Sequence, residues 1–338
     1  MASIPGQTSP QSKEDELETH PPASYTVGWI CALPTELKAA QVMLDRRHTP
    51  LESMNPQDSN NYILGSIGKH NVVIACLPEY GNVAAAKSAT MMNATFPSLR
   101  FGLMVGIGGG IPSEGKDIRL GDIVVSDPTG RGGGVIQYDL GKMEQDGFKR
   151  LGSLNKPPAL LRTTVKKLEG TYCLEEKISE LVTAAFERFP KWANEFKYLG
   201  VEADQLFKAN YPHINNNPNC NDCAKNGAGI VDRSNRPNPA RPEIHYGSIA
   251  SGNSVMKNGL DRDLLAQRDN VICFEMEAAG LMDDFNCLVI RGISDYADSH
   301  KNWQWQPYAA AVAAAYAKRL LLEIPPQAVK ELEPIRSE

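Results

Sequence analysis

The chain has 338 residues, 42% of them hydrophobic and 22% charged, with 35 basic against 40 acidic side chains and a formal net charge of -5. That is ordinary globular composition, long enough for one large core or two small ones. Neutralising a phosphate backbone needs a basic excess or a dense basic stripe, and neither is present, so no nucleic-acid polymer is expected as a partner. The apolar stretch Tyr25 to Leu33 is too short to span a bilayer and has no basic segment before it, so neither a membrane nor secretion is expected. Seven cysteines, mostly scattered through apolar runs, fit a reducing, cytoplasmic setting. The lone Cys220-x-x-Cys223 pair has His213 upstream but no second pair, so a surface loop is expected there and no metal is assigned.

Residues 1–24 are rich in Ser, Glu, Lys and Pro and predict a disordered tail, and 325–338 a second, charged tail. Between them, short apolar runs alternate with helical patterns. Val27 to Leu33 reads as a buried strand, followed by a helix opened by Pro34 and running to Asp45. Tyr62 to Ile67 and Asn71 to Leu77 read as a hairpin, Asn82 to Phe96 as an Ala-rich helix. Phe101 to Ile107 is an apolar strand that runs into glycines at 108–110, read as a loop, and Asp122 to Val125 is another strand. Residues 158–210 carry helical patterns, and 211–242, rich in Pro, Asn and Gly, predict a surface excursion. Strands at His245 to Ala250, Val271 to Phe274 and Cys287 to Ile293 follow, then a helix from about Tyr308 to Leu322. Near-continuous apolar strands are covered on both faces. The expected fold is α/β: a single-domain mixed central sheet flanked by helices, over residues 25–324.

The glycine run does not complete a dinucleotide fingerprint, because Ile111 stands where its last glycine belongs, and no Walker loop is present, so no cofactor is expected. The carboxylates at strand ends carry more. Phe274-Glu275-Met276-Glu277 and Arg291-Gly292-Ile293-Ser294-Asp295 both end apolar strands, and Glu36 follows the first strand. Ligands of open α/β sheets sit beyond such strand ends.

These segments, with Gly121-Asp122-Ile123-Val124-Val125-Ser126-Asp127 and the Val105-Gly106-x-Gly108-Gly109 loop, resemble the purine nucleoside phosphorylase and methylthioadenosine nucleosidase superfamily over about Val27 to Leu321. The nearer likeness is to its fungal-type branch, found alone or N-terminal to NACHT or ankyrin segments; the sequence stops soon after the domain and no such module is expected in it. The resemblance implies that Glu277 binds ribose hydroxyls, with Glu275 beside it and Met276 under the sugar, and that Asp295 gives a proton to purine N7. Cleavage of an N-glycosidic bond builds an oxocarbenium-like sugar and a negative base, so an acid at N7 neutralises the leaving group and a carboxylate answers the sugar.

Where phosphorylases carry an arginine ahead of the glycine loop, this chain has Met104, and Glu36 falls where nucleosidases carry the glutamate that activates water. Hydrolysis is therefore expected over phosphorolysis, of a purine nucleoside or nucleotide with adenine favoured and ATP included. A phosphate-dependent enzyme and a non-catalytic nucleoside sensor are the alternatives. Base binding is assigned to Ser251, Gly252, Asn253, Val255 and Phe274 with Asp295. Gly106, Ile107, Gly108, Gly109, Arg131 and Lys257 are the candidates for a phosphate, with Arg233, Arg236 and Arg241 of the excursion in support. The family's dimers and trimers of dimers imply a homo-oligomer, with Trp303, Trp305 and Tyr308 as one candidate contact.

Overall fold

The computed structural model describes residues 17–128, 132–214, 220–225, 227 and 229–335. The strands are β1 (Val27–Cys31), β2 (Arg46–Arg47), β3 (Tyr62–Ile67), β4 (His70–Cys76), β5 (Phe101–Gly110), β6 (Ile123–Ser126), β7 (Val135–Gln137), β8 (Gly141–Glu144), β9 (Gly147–Arg150), β10 (Ile244–Ser251), β11 (Val271–Glu275) and β12 (Cys287–Asp295). The helices are α1 (Pro34–Met43), α2 (Asn82–Thr95), α3 (Ala159–Glu169), α4 (Leu174–Arg188), α5 (Pro190–Ala193), α6 (Asn221–Ala224), α7 (Gly259–Asp269), α8 (Gln306–Glu323) and α9 (Pro326–Lys330).

One large mixed sheet runs β11-β10-β6-β12-β5-β1-β4-β3-β2, with β7 added beside β10. The strands β1, β5, β11 and β12 are almost wholly buried, which is why they read as unbroken apolar runs. β5 pairs in parallel with β1 and β12, and β11 folds back antiparallel onto its far end, Cys273 opposite Gly110 and Phe274 opposite Gly109. That last pairing closes five strands, β5-β12-β6-β10-β11, into a ring. α8 lies against β12 and β5, and its alanine run, buried from Ala309 to Ala315, sets a small-residue face against the sheet.

Two parts of the sequence reading need correction. The glycines at 108–110 are strand, not loop: β5 continues to Gly110 in register with Ile293 and Asp295 of β12. The helical stretch stops at Ala193, and the remainder to residue 210 is irregular apart from one short turn at Val201–Ala203. After Glu277 the chain makes a short 3-10 turn, Ala278–Gly280. The sequence reading also passed over α7, capped by the Asn258 side chain, and the β8–β9 hairpin.

Both flanks dock on the domain. In the stretch read as tail, Glu18 bridges to His48 and accepts from Arg46 at 2.7 Å, and residues 22–24 form a 3-10 turn. At the other end Val329 of α9 and Ile335 are buried, and the Ile335 N–H donates to Leu99 O at 2.8 Å. The excursion at 211–242 is anchored as well. Cys220 and Cys223 are buried beside Phe207, and Arg236 is held by Asp122 at 2.7 Å.

Candidate active site

The C-terminal ends of β1, β5, β11 and β12 converge on a cleft of about 400 Å³. Its floor holds Glu36, Glu275, Glu277, Arg291 and Asp295, each at least nine-tenths buried, and its rim includes Tyr80, Val255, Lys257, Lys301 and Trp303.

Glu36 lies in the first turn of α1, whose start is fixed by Pro34. Its carboxylate accepts the Ala32 and Leu33 N–H groups at 2.7 and 3.0 Å and, from across the sheet, that of Ile107 at 2.8 Å. Two helix-start donors and the helix dipole thus hold an anion at this point. Burial nevertheless pushes the Glu36 pKa up, against the pull of Arg291 and of the three amides.

β11 and β12 supply the centre. Arg291, fully buried between apolar residues of β12, bonds the carboxylates of Glu275 and Glu277, the latter at 3.1 Å, and donates to Ile107 O at 3.2 Å. Glu275 also accepts the N–H groups of Glu277 and Ala278 at 3.1 and 3.0 Å, which turns the chain so that both glutamates face one guanidinium. Three buried carboxylates therefore surround one buried cation. Glu277 is pushed up to about 7, first by burial and then by Glu275 and Glu36, with Arg291 opposing. Burial works against the charge on Arg291, but the glutamates outweigh it and raise its pKa. One guanidinium cannot balance three carboxylates, so the cluster retains a proton near neutrality.

The glycines of β5 make room for this chemistry. A Cβ on Gly106 would lie 2.4 Å from Glu36 Oε1 and 2.8 Å from Arg291 Nη1, and one on Gly109 would lie 2.9 Å from Asp295 Oδ1. The strand must be bare where the carboxylates cross it. Because the Ile107 N–H is already committed to Glu36, it is not a free donor for a bound anion.

Asp295 ends β12. Its Oδ1 accepts the Ala297 N–H at 2.9 Å and lies 3.4 Å from Lys301 Nζ, while Oδ2 accepts from Ser294 Oγ at 3.1 Å. Ala297 adopts φ 51, a left-handed conformation that turns its N–H back onto the carboxylate.

Of the residues expected at the site, Glu36, Ile107, Gly108, Gly109, Val255, Lys257, Phe274, Glu275, Met276, Glu277 and Asp295 all line this cleft. Ser251, Gly252 and Asn253 do not; they brace it from behind. Ser251 Oγ accepts the Ala279 N–H at 2.9 Å, Asn253 Oδ1 accepts that of Asn82 at 3.1 Å, and Gly252 packs under Tyr138. Tyr138 in turn meets Phe274 edge to face at 5.5 Å.

Arg131 lies outside the described residues. Arg233, Arg236 and Arg241 are not in the cleft but paired with Asp204, Asp122 and Glu176 at 3.0, 2.7 and 2.6 Å. Trp305 and Tyr308 pack internally against Tyr198, whereas Trp303 is 71% exposed at the cleft mouth. The sequence reading gave Arg291 no role and missed Lys301. For Arg291 the signal was present: a lone charge between Ile290 and Gly292 in a buried strand requires partners.

No protein-family model matches the chain. Over 312 residues it is 55% identical to a nucleotide-binding leucine-rich repeat (NLR)-like protein of Hyaloscypha variabilis, covering 91% of this chain and 30% of that protein, so it spans under a third of that relative's length. It is 23% identical to the 5'-methylthioadenosine/S-adenosylhomocysteine nucleosidase of Mycobacterium bovis, covering 89% of this chain and 98% of that one. Its fold matches that of the futalosine hydrolase of Helicobacter pylori with a TM-score of 0.55 at 17% identity, over 89% of this chain and 98% of that one. The strand-end motifs, the mixed sheet and these likenesses agree: the chain has the fold of the nucleosidases and resembles the nucleoside phosphorylase and nucleosidase superfamily.

Proposed function

We propose that this protein hydrolyses the N-glycosidic bond of a purine nucleoside or nucleotide, with adenine the favoured base and ATP among the candidate substrates. The observation that carries the reading is the cleft floor. Glu36 is held by three amides beside Glu275, Glu277 and Arg291, and Asp295 ends the strand on which Arg291 lies.

In this reading the purine lies toward Asp295 and Phe274, and the ribose over Met276 with its hydroxyls on Glu277 and Glu275. Bond cleavage pushes electrons onto the base, and Asp295 is the residue placed to supply the proton at N7. The sugar gains positive charge and faces the glutamate cluster, whose negative field is fixed in advance by Arg291 and the backbone donors. Glu36 accepts a proton from the attacking water, and its raised pKa brings it nearer to that task at neutral pH. The Arg291 guanidinium is occupied by glutamates, and a carboxylate-lined floor repels a phosphate dianion. These two features favour water over phosphate as the nucleophile.

Incubating the protein with adenosine, inosine, AMP and ATP, with and without inorganic phosphate, and quantifying free base tests this. Phosphate-independent release of adenine is expected, lost in Glu36→Gln. Release that requires phosphate makes the enzyme a phosphorylase, and no release from any of the four makes the pocket a sensor.

A further inference from the structure

Outside the cleft floor, two cysteines stand side by side at the point from which Glu36 is held. Cys31 is the last residue of β1 and Cys76 the last of β4, and the two are direct partners in the parallel register. Neighbouring strands lie about 4.8 Å apart and partnered residues point to the same face, within the Cα separation of about 4.4–6.8 Å that a disulfide spans. Both are free thiols; Cys31 is buried and Cys76 only half-buried. Cys31 Sγ donates to Ala75 O at 3.4 Å, and the Cys31 carbonyl accepts the Leu77 N–H at 2.9 Å, so β1 and β4 are tied at this level. The very next residues, Ala32 and Leu33, supply two of the three amides that hold Glu36.

We propose that Cys31 and Cys76 form a reversible disulfide under peroxide, and that closing it shifts Ala32 and Leu33 and switches the cleft off by misplacing Glu36. The second half rests on the hydrolase reading; the first does not.

Cys76 attacks first. It is the more accessible thiol, and its contact with Cys31 lowers its pKa, whereas that same contact and burial raise that of Cys31. The Cys76 thiolate displaces hydroxide from hydrogen peroxide to give a sulfenic acid. Cys31 sulfur then attacks the Cys76 sulfur and expels a second hydroxide, which takes up the Cys31 proton. In sum two thiols and one peroxide give one disulfide and two waters. To reach Cys76, Cys31 Sγ must leave Ala75 O and move to the sulfur of the next residue along β4. The strain passes to Ala32 and Leu33, which lie beyond the strand, because β1 itself is fixed by β4 on one side and β5 on the other.

The experiment treats full-length protein with hydrogen peroxide, blocks remaining thiols, and maps peptides by mass spectrometry alongside purine release. A linked peptide joining Cys31 to Cys76 is expected, with activity falling about 10- to 100-fold, as for a catalytic group displaced by an ångström, and returning with dithiothreitol. Cys76→Ser should keep its activity through the same treatment, and Cys31→Ala serves as the second variant should serine perturb the strand end. Absence of the linked peptide, or a linked protein with unchanged turnover, overturns the switch. If the reduced protein releases no purine, the hydrolase reading fails while the peptide map still decides the disulfide.

Discussion

Replacing Glu277 by glutamine is expected to stabilise the protein above neutral pH while abolishing its activity. Glu277 is buried in a cluster that already holds Glu36 and Glu275, and its pKa rises from 4.5 to about 7. Since the folded-state value lies above the unfolded one, the native protein binds more protons than the unfolded chain between about pH 4.5 and 7, and stability from this group falls as pH rises through that window. At 1.36 kcal/mol per pH unit the full rise corresponds to a ceiling of about 3 kcal/mol, with roughly 1–3 kcal/mol the working range. Glutamine carries no such dependence. The variant should match the wild type near pH 4.5 and exceed it by that amount at pH 8.

Other buried groups titrate in the same window with the opposite sign. His300, pushed down to about 4 by burial, makes the native state lose stability as pH falls. Such contributions are common to both proteins and cancel in the difference, so the quantity to measure is the variant minus the wild type. Urea unfolding followed by circular dichroism at pH 5, 6, 7 and 8 provides it. A difference that is flat with pH, or that favours the wild type increasingly as pH rises, would refute the crowded-carboxylate account.

Three further substitutions probe the same cluster from other sides. Asp295→Asn cannot supply the N7 proton, so kcat should fall about 100- to 10,000-fold with KM little changed, measured by release of free base; a normal kcat would remove Asp295 as the acid. Arg291→Met leaves three carboxylates without their cation and should cost about 3–5 kcal/mol at pH 8, and less at pH 5, where Glu277 carries its proton; equal losses at both would show that packing, not charge, is involved. Gly106→Ala places a methyl against Glu36 and Arg291, and about 1–3 kcal/mol of lost stability together with a deep loss of turnover is expected from thermal melts and the base-release assay.

What could be read from the sequence was decided by burial. β1, β5, β11 and β12 are covered on both faces, so each announces itself as an apolar run, and the carboxylates that end β11 and β12, with Glu36 soon after β1, stand out against it. Glycine behaves differently. At 108–110 a run of glycine has the composition of a loop, yet here it is strand, because only the arrival of Asp295 and Cys273 from distant parts of the chain explains why side chains are excluded. The arginines at 233, 236 and 241 misled for the converse reason: their carboxylate partners lie up to 114 residues away along the chain, and no local pattern reveals that they are already satisfied. Ser251 and Asn253 stand next to the cleft in sequence, but their side chains are spent on the backbone N–H groups of Ala279 and Asn82, distant along the chain.

The closing of the sheet ring and the assembly of the site are one event. The antiparallel contact of Phe274 and Cys273 with Gly109 and Gly110 is the step that brings β11 over the end of β5. Only then do Glu275 and Glu277 meet Arg291, which β12 has carried alongside β5 at Gly106. Bulk at Gly106 or Gly109 would therefore keep carboxylates out and strands apart together, and a cluster with fewer than three acids would lose the field that a cationic sugar needs. The fold places its strain, a proton shared among buried glutamates, where the proposed chemistry draws on it.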